Sequence, residues 1–243
     1  MSTLPTTPRG RGSAVPPADV NPPPLENGDH LTREEFERRY EAMQDLKKAE
    51  LIEGVVYMPS PVTHQRHGGP HGKMHAWILF YALGTPGVDT GLDSSLKLDD
   101  SNEPQPDVLL FVFPSHGGQA NFDEKGYFVS SPEWAGEVAV SSVSRDLHSK
   151  LEVYRRHGVK EYVVWRVLDK EIDWFVLRGD QYERLPLSDD GLYKSEVFLG
   201  LWLDPQALIA EDLAKLQAVV QRGLASPEHQ AYVERLAAAS RER

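Results

Sequence analysis

The chain has no cysteine. That excludes a disulfide framework and every zinc site built on thiolates, and it fits a reducing cytoplasm, the location expected on this ground. Apolar runs are short. None approaches the roughly 18–20 residues that span a bilayer, so no membrane partner is expected. The first residues carry no basic-then-apolar leader pattern. Cations are scarce against anions, 26 Lys and Arg to 37 Asp and Glu, for a net charge of −11. A protein that coats nucleic acid needs clustered Lys and Arg to neutralise phosphates, so the composition argues against that class. An enzyme that touches DNA at one local site stays compatible with it. Arg155, Arg156 and Lys160 form a small basic group, but Glu152 and Glu161 dilute it. It reads as a solvated helix end ahead of a phosphate clamp.

What is present suffices for one ordinary domain with extensions: 243 residues, 40% of them apolar. Residues 1–29 are proline-rich and poor in apolar anchors. Pro16-Pro17 and Pro22-Pro23-Pro24 remove backbone donors and favour extended chain, so a disordered tail is expected there. Residues 30–203 alternate between helical and strand patterns and form the expected core. Residues 204–243 turn helical in composition, with two surface helices expected over 206–223 and 227–241, broken at Ser226-Pro227. They serve either as an oligomerisation or docking appendage, which would make a homodimer through these helices, or as a cap on the core.

Within the core, Thr32 and Glu35 predict a capping box ahead of Phe36, Tyr40 and Met43 at helical spacing. Leu51 to Tyr57 predicts a hairpin turning at Glu53-Gly54. A helix is expected from about Gly72 to Leu83, then strands over 88–98, 106–113 and 134–141. A helix over 146–158 and strands over 161–167, 171–177, 182–187 and 198–203 follow. The order is that of a mixed α/β sheet rather than a regular βα repeat.

Two carboxylates stand out. Asp107 opens the apolar run 106–113, and Glu137 sits inside the run 134–141. A carboxylate in a buried strand is costly unless it is paired or binds a metal. Strand alternation puts Glu137 on one face with Ala135, Ala139 and Ser141. Two carboxylates at adjacent strand edges are the minimum for holding a hard dication through oxygen, and such an ion can activate water and clamp a phosphate. In the helix that follows, Lys150 lies on the stripe of Leu147, Leu151 and Tyr154 that must face the sheet. It either reaches these acids or snorkels past the apolar residues to solvent.

Pro106-Asp107, Glu137-Val138-Ala139 and Ser144-Arg145-Asp146 leading into Lys150, Tyr154 and Gly158 resemble the Uma-type family of restriction endonucleases in the PD-(D/E)XK nuclease superfamily. Glu50-Leu51-Ile52-Glu53-Gly54, Met58-Pro59-Ser60-Pro61 and His64 resemble the same family's opening, and Glu161-Tyr162 its next strand. The resemblance spans about residues 45–203. It implies a restriction-endonuclease-like sheet of four or five strands flanked by helices. It implies DNA as substrate, Mg²⁺ or Mn²⁺ as cofactor, and Asp107, Glu137 and the Val138 carbonyl as metal ligands. The superfamily usually carries lysine two residues after the glutamate; here that position is Ala139. In related families the lysine comes from the following helix, which makes Lys150 the candidate. Glu53 is expected either near the metal or as an exposed turn residue, Asp146 as a supporting acid or a helix-dipole partner, and Gln105 along the cleft.

The histidines admit two readings. His64, His67, His71 and His75 recur at intervals of three and four, and His71 with His75 has zinc-like spacing. Gly68-Gly69-Pro70 is expected to interrupt that helix. This favours His64 as a cleft residue contacting phosphate or a carboxylate over a histidine-based metal site. Three functions follow: a metal-dependent DNA phosphodiesterase, an inactive nuclease-fold binding module, and a histidine-based metal-binding protein.

Overall fold

The computed structural model of the protein describes residues 22–59 and 63–242. The tail as far as residue 21, and the Ser60-Pro61 pair of the opening motif, lie outside the described residues. Residues 22–29, expected in the tail, pack instead on the first hairpin. Leu25 is buried, and the Gly28 amide donates to the Val56 carbonyl at 2.8 Å.

Helix α1 (Arg33–Ala42) begins where Thr32 predicts, with Thr32 Oγ1 accepting from Glu35 N. The box is not completed, because the Glu35 carboxylate is taken by Arg38 and Arg39. Strands β1 (Glu50–Ile52) and β2 (Val55–Tyr57) form the expected hairpin, turning on Glu53 and Gly54, both with positive φ. The predicted interruption before residue 72 does not occur. A π-helical turn over His64–Gly68 runs directly into α2 (Gly69–Leu83). Pro70 follows the π turn, where the Gly69 amide reaches back five residues to the His64 carbonyl, so the regular ladder is already offset at the point where its N–H is missing.

The chain continues through β3 (Val88–Leu92), β4 (Val108–Val112), β5 (Trp134–Ala139), α3 (Val143–Leu147), α4 (Ser149–Arg156), β6 (Glu161–Arg166), β7 (Glu171–Arg178) and β8 (Gln181–Arg184). The helix expected over 146–158 therefore starts earlier and is split at His148. That residue leaves helical geometry while its ring Nδ1 pairs with Ser144 O at 2.7 Å. The six strands form one sheet in the order β3-β4-β5-β6-β7-β8, larger than the four or five implied. Every pair is antiparallel except β5 with β6. The first helical pair α3–α4 is the crossover that the parallel pair requires.

Both faces of the sheet are covered, which explains the near-continuous apolar strands. Val108, Leu110 and Val112 of β4 face Met74, Trp77, Ile78 and Tyr81 of α2, while Leu109 and Phe111 face the side of Tyr154 and Tyr162. On β5, Trp134 and Val138 join the first layer and Ala135 and Ala139 the second. Glu137, alternating with them, points to the α4 side.

Residues 198–203 are mostly turn. Only β9 (Tyr193–Lys194) and β10 (Trp202–Leu203) pair, with Gly200 at φ +87° between them. The C-terminal segment comprises α5 (Pro205–Ile209), α6 (Leu213–Leu224) and α7 (Pro227–Arg241), capped by Asp204, Asp212 and Ser226. The single helix expected over 206–223 breaks at Glu211, whose φ is +59°. Leu208, Leu216, Val220, Tyr232 and Leu236 belong to the main core with α2 and the sheet. These helices thus cap the sheet with their apolar face.

Candidate active site

Asp107 immediately precedes β4. Because Val108 pairs with Gly136, it stands opposite Glu137 where the ladder ends. Gly136 is required beside it: a Cβ there would lie 2.4 Å from the buried ring of Trp134. Asp107 Oδ2 accepts from the Val138 amide at 2.8 Å. In a strand the N–H and C=O of one residue point to the same edge, so the Val138 carbonyl faces the side that β4 has vacated. Asp107 and Glu137 are each 4% exposed. Above them opens a cleft of about 810 Å³, whose lining includes Lys48, His67, Asp107, Glu137, Val138 and Arg145.

Lys150 is fully buried, and its Nζ lies 2.6 Å from Glu137 Oε1 and 2.6 Å from Glu50 Oε1. Tyr154, one turn on, donates its hydroxyl to Glu137 Oε1 at 3.1 Å. Asp107 is served by a different lysine. Lys48 Nζ is 2.9 Å from Asp107 Oδ1 and 2.6 Å from Asp93 Oδ1. His67 Nε2 approaches Asp107 Oδ2 at 3.4 Å, and His71 Nε2 lies 2.7 Å from the Asp107 carbonyl. Two ammonium groups thus divide the two acids between them.

The charge states follow from this packing. Burial pushes Asp107 up, but the His67 hydrogen bond and the Lys48 charge outweigh it and hold the carboxyl well below its usual range. Burial likewise raises Glu50, and Lys150, Lys48 and Arg145 reverse it. Glu137 goes the other way: full burial raises it beyond what Lys150 offsets, and the charges of Asp107, Asp146 and Glu50 add to the rise. Burial works against the Lys150 ammonium, yet Glu137 and Glu50 raise its pKa overall. The two carboxylates thus favour the ammonium form of Lys150, which suits electrostatic stabilisation rather than proton acceptance. The Asp107 hydrogen bond raises His67.

Several expected residues lie elsewhere. Glu53 sits on the hairpin turn, about half exposed, and pairs with Arg156 at 3.3 Å, so the hairpin's contribution to the floor is Glu50. His64 is exposed and absent from the cleft lining, because the continuous helix turns His67 and His71 inward in its place. Gln105 is buried behind the floor rather than along the cleft: its amide N donates to Glu50 Oε1 at 2.8 Å and its side chain to Ser95. Asp146 is buried near Lys150 and accepts from Ser142 Oγ at 2.5 Å. The basic group at the end of α4 is paired, Arg155 with Glu152 and Arg156 with Glu53.

Sequence reasoning gives Lys48 no role, takes Glu50 only as part of the opening motif and His67 only as a member of the histidine series. Glu50 carries the same signal as Asp107, an acid opening an apolar strand. Lys48 follows Lys47 and looks like an ordinary surface charge. The four histidines do not assemble a zinc site, since His71 is spent on the Asp107 carbonyl. Among the described residues no group of three or more His, Asp or Glu side chains is disposed to hold a metal ion. The donor set that fits a hard dication is smaller: two carboxylates and the Val138 carbonyl, all oxygen.

The sequence matches a family model described as "Putative restriction endonuclease", Uma2, over residues 33–206. A solved structure, a putative nuclease of the DUF820 group from Anabaena variabilis, is similar at 15% identity with a TM-score of 0.50. The match covers 78% of this chain and 99% of that one. No curated protein matches the chain. Among the described residues no helix is long and apolar enough to cross a membrane. The matched span exceeds half the chain and encloses every residue that lines the cleft, and on that ground the chain belongs to the Uma2 family, described as putative restriction endonucleases.

Proposed function

We propose that this protein is a cytoplasmic, metal-dependent endonuclease that hydrolyses DNA phosphodiester bonds over the Asp107–Glu137 floor. The observation that carries this reading is the convergence of the two acids from adjacent strands at the base of an open cleft, with the Val138 amide donating to Asp107 Oδ2 at 2.8 Å. Asp107, Glu137 and the Val138 carbonyl would hold Mg²⁺ or Mn²⁺. When bound, that ion supplies an activated water and Lewis acidity toward the phosphoryl group.

The chain's own residues set the rest. Val138 N–H and His67 hold Asp107 ionised and oriented. Tyr154 and Lys150 fix Glu137 Oε1. The charged Lys150 stabilises negative charge that develops on phosphate oxygens, the role otherwise taken from position 139. Plasmid nicking in Mg²⁺ or Mn²⁺ tests the reading. Asp107→Ala and Glu137→Gln are expected to lose activity by ~10²-fold or more. Equal activity in wild type and Asp107→Ala sinks the proposed site.

A second reading, a binding module that keeps the fold without catalysis, is favoured by one observation: Lys48 and Lys150 already neutralise both acids. Calorimetric titration with Mn²⁺ separates the two. A folded protein that takes up no Mn²⁺ would put the module reading ahead.

A further inference from the structure

Among the described residues the cations held against the acidic floor are committed, Arg145 excepted; Arg66 also lines the cleft, but it is exposed. Lys150 spends its ammonium on Glu50 and Glu137, Lys48 on Asp93 and Asp107, and His67 on Asp107. The side chain of Arg145, on α3, makes no hydrogen bond among the described residues. Its nearest carboxylate oxygens are Glu50 Oε2 at 3.7 Å and Asp146 Oδ1 at 3.8 Å, beyond hydrogen-bonding distance. Its Nε is buried with no partner. The group is nevertheless held in place. The guanidinium sits over the Tyr57 ring at 4.8 Å from the centroid, and the two carboxylates attract it without receiving its protons.

A buried donor left unsatisfied costs free energy, and an arginine with a purely structural role in such a place would close one of these gaps into a bidentate pair. Nε faces the equally unpartnered and buried Asp146 Oδ1, so the donors open to the cleft are the terminal N–H groups of this side chain, which is 26% exposed and lines it. A guanidinium presents its N–H groups in a planar fork that matches two oxygens of a phosphate. Its place relative to the reacting centre is also defined. Glu50 is shared, with Oε2 toward Arg145 and Oε1 toward Lys150, which in turn meets Glu137. One carboxylate and one ammonium separate the guanidinium from the proposed metal ligand.

We propose that Arg145 is a substrate-binding residue that grips a phosphate of the nucleic-acid backbone in this cleft. The proposal rests on the nuclease reading of the same cleft and names the side chain that seats its substrate. Tyr57 holds the guanidinium plane, and Glu50 couples its position to Lys150.

The test is fluorescence anisotropy of a labelled 20-base-pair duplex in Ca²⁺, titrated at several NaCl concentrations, with thermal unfolding of each variant alongside. Arg145→Gln is expected to bind about tenfold more weakly, and the slope of log affinity against log salt is expected to shrink by about 0.9, one phosphate contact. Arg145→Lys keeps the charge without the fork, so it is expected to keep the slope and lose about threefold in affinity. A structural role would lower the melting temperature and leave the salt slope of the folded fraction unchanged. Wild-type affinity and slope in Arg145→Gln overturn the assignment and leave the nuclease reading standing. If Arg145→Gln does not fold, unchanged affinity in Arg145→Lys overturns the assignment instead. Wild-type protein that binds no duplex overturns both, a result visible without any variant.

Discussion

Lys150 reaches Glu137 across the gap between helix and sheet, placing its ammonium 2.6 Å from Oε1 with 1% of the side chain exposed. Ala139, on the same strand face as Glu137, is fully buried and brings no charge. The cation comes from the helix layer, and it arrives already shared with Glu50.

That sharing makes Lys150 structural as well as electrostatic. Lys150→Met leaves two buried carboxylates without their cation, and removing one partner of a buried pair costs about 3–5 kcal/mol. Urea unfolding is expected to show that loss, with DNA nicking reduced by ~10²-fold in the fraction that folds. A variant as stable as wild type would contradict the buried network.

Lys48 is a different kind of lysine. It is 22% exposed and bonded both to the buried Asp107 and to the half-exposed Asp93, so its contribution to stability lies between that of a surface pair and that of a buried one, about 1–3 kcal/mol. Its ammonium lies against the oxygen a metal would use. Lys48→Met is expected to lower the melting temperature by less than Lys150→Met does and to tighten Mn²⁺ binding by close to tenfold, read by calorimetry. Weaker binding would mean that Lys48 does not compete with the ion.

Away from the cleft, Glu161 opens β6 fully buried, accepting from Ser195 Oγ at 2.7 Å and Glu196 N at 2.7 Å. Burial outweighs these bonds and raises the carboxyl from 4.5 to about 7. The sign is that of a raised acid. Below pH 4.5 both folded and unfolded forms are protonated, and the contribution is fully present. Above it the unfolded chain ionises first, so stability falls until the pH passes about 7. The loss is on the order of 3 kcal/mol. Glu161→Gln is expected to flatten this part of the stability–pH curve. Parallel curves for the two proteins would show that Glu161 does not titrate in this window.

Gly136 tests the packing beneath the site. An added methyl would meet Trp134 Cη2 at 2.4 Å, and that ring cannot withdraw, being buried edge-on to Trp77 and Trp174. Gly136→Ala is expected to cost about 1–3 kcal/mol in chemical denaturation. A neutral result would mean that the tryptophan cluster is looser than its geometry.

Strands were legible where alternation or apolar density marks burial. The apolar runs 106–113 and 134–141 contain Asp107 and Glu137, and their apolar neighbours declared those acids buried. Helix ends were less legible. Nothing local distinguishes a helix that stops at Gly68-Gly69-Pro70 from one that passes through it as a π turn, and on that difference hangs whether His64 or His67 faces the cleft. The splits at His148 and Glu211 are similarly silent, because they answer to what the segments pack against.

Sequence alone determined the α/β class, the paired acids and the inward side of Lys150, since each follows from a period of 2 or 3.6 and from the cost of burying charge. Tertiary structure decided the partners. Lys48, Glu50 and His67 precede Asp107 and Glu137 by tens of residues, and although Arg145 follows Glu137 closely in the chain, its neighbours Glu50 and Tyr57 come from the distant hairpin, so the set converges only when hairpin, helices and sheet have docked. Electrostatic pairing depends on distances of a few ångströms that no local pattern encodes, so which lysine serves which acid, and which arginine is left with free donors, is settled by packing.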